Sequence, residues 1–197
     1  MSKSFQGTEV PGGEPSEVVA RLLDAAVRVV ALRETSEVTL DEIAGAAGVD
    51  AGEASENFVS VNDLLIEAAL RIARDDLRLD VIARSLGAPT VSAYAQHFAK
   101  RRAFYRAMRT GAVAERLDAR MAAVVAPLIA VQIHTVVGGR MSAEALATMT
   151  AEVTVEVFTV TNRWIVESAE SAGAEDLYVL FEGVVLRRLD EVRSLTD

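Results

Sequence analysis

Apolar residues recur at three- and four-residue spacing along almost the whole chain, the signature of amphipathic helices. From Ser16 to about Arg33, one stripe is formed by Val19, Leu22, Leu23, Ala26, Val29 and Val30, with Arg21, Arg28 and Arg33 as its basic residues. Thr39 and Glu42 make a capping-box pair, so a helix is predicted to begin at Leu40, with Ile43, Ala44 and Ala47 as its apolar positions. Gly48 supplies the backbone freedom to leave that helix, and Val49 plugs the corner. Asp50 with Glu53 repeats the capping signature and opens a second short helix to about Phe58. Ser60 with Asp63 opens a third, predicted from Val61 to about Arg84, before Gly87-Ala88-Pro89 breaks the chain.

In the second half, Thr90 is predicted to cap a helix to Thr110 with Tyr94, Phe98, Arg101, Tyr105 and Met108 on one stripe. Residues 112–137 form one apolar region that Pro127 should kink or divide. From Met121 onward nearly every position is apolar, the pattern of a helix buried in the middle of a domain. Ser142 caps the next segment, where Leu146, Met149, Val153, Val157, Val160 and Trp164 recur at threes and fours. Val153, Val155, Val157 and Thr159 also alternate as in a strand. No turn signal falls between Ala143 and Ser171, far too long for one strand, so helix is predicted. A last helix runs from Ala174 with Leu177, Leu180, Phe181, Val184, Val185, Leu189 and Val192. The fold class is all-α. A flexible tail is expected over residues 1–14, a three-helix domain over 15–65 and a larger helical domain over 66–197, with the boundary inside the connecting helix.

Two helices joined by a tight glycine turn make a helix-turn-helix, whose second helix normally enters the DNA major groove. Thr39, Ile43-Ala44, Ala47-Gly48-Val49, Gly52, Phe58 and Asp63-Leu64 stand at the spacing of the TetR family of bacterial transcriptional regulators. The chain resembles that family over nearly its whole length. The resemblance implies a DNA-reading N-terminal domain and a C-terminal domain that binds a small apolar ligand and dimerises, in a cytoplasmic protein. By family position, DNA contact falls to Thr39, Ala51, Gly52, Glu53, Ser55, Asn57 and Val61, with Arg28 and Arg33 reaching from the first helix. The homodimer interface falls on the last two helices, at Val153, Val157, Val160, Trp164, Leu177, Phe181, Val184 and Leu189.

The contact positions depart from the family. Members usually carry a basic residue at Ala51, threonine or another small residue at Glu53, tyrosine at Ser55, histidine at Asn57 and lysine at Val61. From Glu34 through Leu70 there is no Lys or Arg, against Glu34, Glu37, Asp41, Glu42, Asp50, Glu53, Glu56, Asp63 and Glu67. The chain as a whole has a formal net charge of -9 and a pI near 4.8. Because cations at phosphates supply most sequence-independent DNA affinity, the isolated protein is expected to bind duplex DNA weakly or not at all at physiological salt. The alternative is a TetR-like dimer that does not bind DNA and instead takes a small molecule or pairs with another regulator as a heterodimer.

Tyr94, Phe98, Arg101, Tyr105, Met108, His134 and Trp164 are the candidate wall of a ligand pocket, being a few polar groups among apolar neighbours. Two residues there have two readings each. Arg101 either snorkels from a core face or waits in a cavity for an anion. His134 is either a hydrogen-bonded core histidine or a polar handle on a ligand. Catalysis lacks a constellation: the histidines are His97 and His134, and there is no HExxH, GxSxG or phosphate-cradling glycine loop. A non-enzyme is therefore expected, with no catalytic residue, metal or cofactor. Absent cysteine removes disulfide and thiolate chemistry. Met1 to Pro15 has no apolar signal core, and no apolar run reads as long enough to span a bilayer, so no membrane partner is expected.

Overall fold

The computed structural model describes residues 16–77, 88–109, 113–137 and 141–196, and all of its regular structure there is helical. The predicted tail over 1–14 and the stretch 78–87, into which the third motif helix was expected to run, lie outside the described residues. In chain order the helices are α1 (Glu17–Arg33), α2 (Leu40–Ala47), α3 (Ala51–Asn57), α4 (Val61–Leu77), α5 (Ala88–Lys100), α6 (Arg102–Met108), α7 (Ala114–Val137), α8 (Ala143–Glu167) and α9 (Ala174–Thr196).

The first three starts follow from side chains that satisfy otherwise unpaired backbone N–H groups. Ser16 Oγ accepts from Val19 N at 3.3 Å, Thr39 Oγ1 from Glu42 N at 3.2 Å, and Asp50 Oδ1 from Gly52 N at 2.8 Å. α1 is the hub. It packs against α2, α3 and α4, and also against α6 of the C-terminal half. α7 lies on α8 and α4, while α9 closes against α5 and α8. One continuous core results, from Leu22, Ile43 and Leu64 through Phe98, Tyr105 and Leu117 to Trp164 and Phe181.

Four expectations are corrected. The helix expected to run unbroken to Thr110 is two, interrupted at Arg101 (φ -109, ψ 16) without glycine or proline. Arg101, Lys100 and His97 all turn to Asp76 on α4, and that tie bends the chain where its local sequence would not. α7 carries Pro127 inside one undivided helix. Nor is α7 enclosed: Met121, Val125 and Val137 are buried, whereas Val131 and His134 are exposed, its main neighbours among the described residues being α8 and α4. Finally, Ala114–Thr135 of α7 is long and apolar enough, by length and composition, to cross a membrane. Two of its charged residues are paired with other helices or their ends, Arg116 with Asp63 and Asp118 with Arg109.

Candidate nucleic-acid interface and ligand core

α2 and α3 are set by local caps and by one cap that reaches in from α1. The Thr39–Glu42 box is reciprocal, with Thr39 N donating to Glu42 Oε2 at 2.8 Å. Gly48 ends α2 in the left-handed region at φ 64, and Val49 N reaches back to Ala44 O at 2.9 Å. A side chain at Gly48 would be strained by that φ and would meet the Arg21 guanidinium at 3.0 Å. Arg21 caps the exposed end of α2, donating to the carbonyls of Ala47 and Gly48 at 2.5 to 3.1 Å. Gly52 is small because a Cβ there would meet the capping Asp50 carboxylate at 2.9 Å.

α3 is anchored by Ala54 alone and presents Ala51, Gly52, Glu53, Ser55, Glu56 and Asn57 to solvent. Its neutral donors are turned inward on its own backbone. Ser55 Oγ donates to Ala51 O at 2.9 Å and Asn57 Nδ2 to Glu53 O at 2.8 Å. Thr39 is used as a cap and Val61 is half-buried at the start of α4. Arg33 is held by Glu42 at 2.6 Å, and that hydrogen bond draws the Glu42 carboxyl below its usual range. Arg28 is exposed. Beyond α3, Asp63 accepts from Ser60 Oγ at 2.6 Å and from Arg116 at 2.5 Å, which keep its carboxyl ionised to lower pH than usual. A groove of about 310 Å³ opens there, between α4 and α7, lined by Asp63, Ile66, Glu67, Arg116, Ala119 and Arg120.

The pocket candidates do not all meet. Phe98, Tyr105 and Met108 are fully buried, and Tyr94, Phe98 and Tyr105 pack ring on ring at 4.7 and 4.8 Å. Trp164 is buried under the Arg102 guanidinium, 4.6 Å from the ring centroid. Arg101 is engaged with Asp76 at 3.1 Å, so it is not waiting for an anion. His134 is solvent-exposed, so neither the core-histidine nor the pocket-handle reading holds. The histidine that does enter the core is His97, missed as a site residue. Its Nε2 meets Tyr105 Oη at 2.8 Å and its Nδ1 meets Asp76 at 3.1 Å, and burial pushes its pKa down to about 4. Burial likewise raises the phenols of Tyr94 and Tyr105.

The interface candidates also turn inward. Val153, Trp164, Leu177, Phe181 and Val184 are buried inside the protomer, and Val157 and Val160 are half-buried. The side chain of Leu189 lies outside the described residues. The stripe read from periodicity is the one that α8 and α9 press against their own α5 and α7. The outward faces carry Val155, Val166, Val179 and Leu180 instead.

No protein-family model matches this chain, and no curated protein matches it either. The fold is similar to the crystal structure of "the putative transcriptional regulator from Pseudomonas aeruginosa PAO1". That likeness has a TM-score of 0.58 at 18% sequence identity, covering 93% of this chain and 97% of the other.

Proposed function

We propose that the chain is a TetR-type, ligand-responsive transcriptional regulator that acts as a homodimer and grips DNA only weakly on its own. The observation that carries it is the capped α2, left-handed Gly48 and solvent-facing α3, a helix-turn-helix with its second helix free to enter a groove. A full-length fold shared with a protein named as a regulator supports the same reading. The ligand, a small and mostly apolar molecule, belongs to the C-terminal half. Dimerisation uses the outward faces of α8 and α9, where Val155, Val166, Val179 and Leu180 stand exposed and Gly183 leaves room for close approach. Light scattering that finds a monomer at micromolar concentration would refute the dimer.

Weak grip follows from charge. The exposed surface of α3 offers Glu53 and Glu56 to phosphate, Ser55 and Asn57 are occupied, and Arg21 and Arg33 are tied to protein oxygens. The same observation favours a second reading, a TetR-like dimer that binds no DNA and pairs with another, basic regulator. A mobility-shift titration of the purified protein separates the two, using DNA upstream of its own gene and random DNA, at low and physiological salt. The regulator reading expects a low-salt complex that is lost as salt rises. No complex at any salt points to the second reading. Replacing Ala51 and Val61 by lysine and Glu53 by threonine should raise non-specific affinity about 10- to 100-fold at low salt.

A further inference from the structure

The groove between α4 and α7 carries one charge that its own lining does not balance. It also has room for a ligand, about 310 Å³ between Asp63, Ile66, Glu67, Arg116, Ala119 and Arg120. At roughly 30 Å³ per water, that is space for a molecule of about ten non-hydrogen atoms. The other charges are paired off. Arg116 donates to Asp63 Oδ1 at 2.5 Å, while Asp63 Oδ2 accepts from Ser60 Oγ at 2.6 Å. Glu67 Oε1 accepts from Arg74 at 3.0 Å. Arg120 stands one turn along α7 from Arg116, is exposed, and makes no hydrogen bond or ion pair among the described residues.

The cation left over selects an anion. Asp63 with Arg116 and Glu67 with Arg74 cancel, so one negative charge beside Arg120 leaves the groove neutral. A dianion would face two carboxylates with no cation to spare. A planar carboxylate also matches the guanidinium fork, which offers it two parallel hydrogen bonds. The groove is larger than a carboxylate alone would fill, and its remaining lining is the buried Ile66 and Ala119. The rest of the molecule is therefore small and apolar. Bound there, it lies against Arg116, whose bond to Asp63 ties α7 to the first turn of α4, directly after the helix-turn-helix.

We propose that Arg120 holds the carboxylate of a small, otherwise apolar monoanion in the groove between α4 and α7. This rests on the ligand-responsive reading above and gives that ligand a place and a head group. The full-length protein, without DNA, is titrated calorimetrically at low salt with benzoate and cyclohexanecarboxylate, and with benzamide and inorganic phosphate as controls. The two carboxylates should bind about tenfold or more tighter than either control. Arg120→Gln should weaken benzoate about tenfold and leave the melting temperature nearly unchanged, because Arg120 has no partner to lose. Arg28→Gln, at an exposed arginine on α1 outside the groove, should leave benzoate binding as it was. Ala119→Leu fills the groove without altering its charge and should weaken benzoate about fivefold or more. If benzamide matches benzoate, or either groove variant keeps full affinity, Arg120 is merely solvated and the proposal is overturned. Phosphate binding equal to that of benzoate overturns it too, since the groove then takes any anion. Failure here in a protein that still shifts DNA spares the regulator reading. Carboxylate binding by a protein that never shifts DNA, at any salt, spares this one and removes the other.

Discussion

The helix-turn-helix and the C-terminal half are joined by opposite means. In the first, the bonds that start the helices are local, Thr39 with Glu42, Asp50 with Gly52 and Ser60 with Asp63, and only the end of α2 is closed from a distance, by Arg21. In the second they reach across the chain. The Arg102 guanidinium closes the end of α8 from α6, donating to the carbonyls of Trp164, Ile165, Ser168 and Ala169 at 2.5 to 3.3 Å. Arg106 adds a bond to Ile165 O at 3.1 Å, and Asp76 gathers His97, Lys100 and Arg101 across 21 to 25 residues. Local caps form as soon as their helix does. The long-range joints exist only once the domain is assembled, so damage to one of them is felt by several helices together.

The deepest of those joints is sensitive to pH. His97 is wholly enclosed and its pKa is lowered to about 4 by burial, against an unfolded value near 6.5. Between those values the unfolded chain binds a proton that the folded chain refuses, so stability falls as pH drops from about 6.5 to 4. The loss from this group should be of order 3 kcal/mol over that window, with little further change below it. Urea melts of the wild type and His97→Gln at pH 7, 5.5 and 4 check it: the gap between the two should change with pH as His97 is protonated. Next, Arg102→Ala should cost roughly 2–3 kcal/mol, since four carbonyls and the Trp164 ring lose a charged donor. Arg102→Lys should recover little of it, because an ammonium cannot reproduce the fork. In the helix-turn-helix the effects are smaller. Gly48→Ala should cost about 1 kcal/mol or somewhat more for its left-handed backbone, measured by thermal or urea unfolding. Gly45→Ala should stabilise by about 0.5–1 kcal/mol, because a Cβ there meets nothing within 4 Å and glycine weakens a helix interior. An equal penalty at Gly45 would show that α2 is held by more than its caps.

The same contrast explains what could be read from sequence. The starts of α1, α2, α3 and α8, and the left-handed exit at Gly48, were legible because a cap and its target lie two or three residues apart. The break at Arg101 was not, since its cause is Asp76, 25 residues away. Periodicity found the stripes on α8 and α9 but not what they pack against, so Leu177 and Phe181 were assigned to a partner when they belong to the protomer's own core. For α7 the all-apolar composition suggested enclosure, whereas burial depends on neighbours, and Val131 and His134 face away from those among the described residues. The acidic, uncharge-balanced surface of α3 was legible residue by residue. That Ser55 and Asn57 would fold back onto their own carbonyls was not.

α8 is a helix made from residues that favour another state. Thr154, Thr159 and Thr161 each return a hydroxyl to the carbonyl four residues earlier, at 2.6 to 2.8 Å, and Val155, Val157 and Val160 lie among them. Such a segment is kept helical by what surrounds it, and residues 153–160, once released, alternate as a strand with one charge in eight. Heating is therefore expected to lead past unfolding into intermolecular sheet. A second calorimetric scan should recover little of the first transition, and the apparent midpoint should climb with scan rate, so that shelf life is set by how often α8 escapes rather than by how stable the fold is.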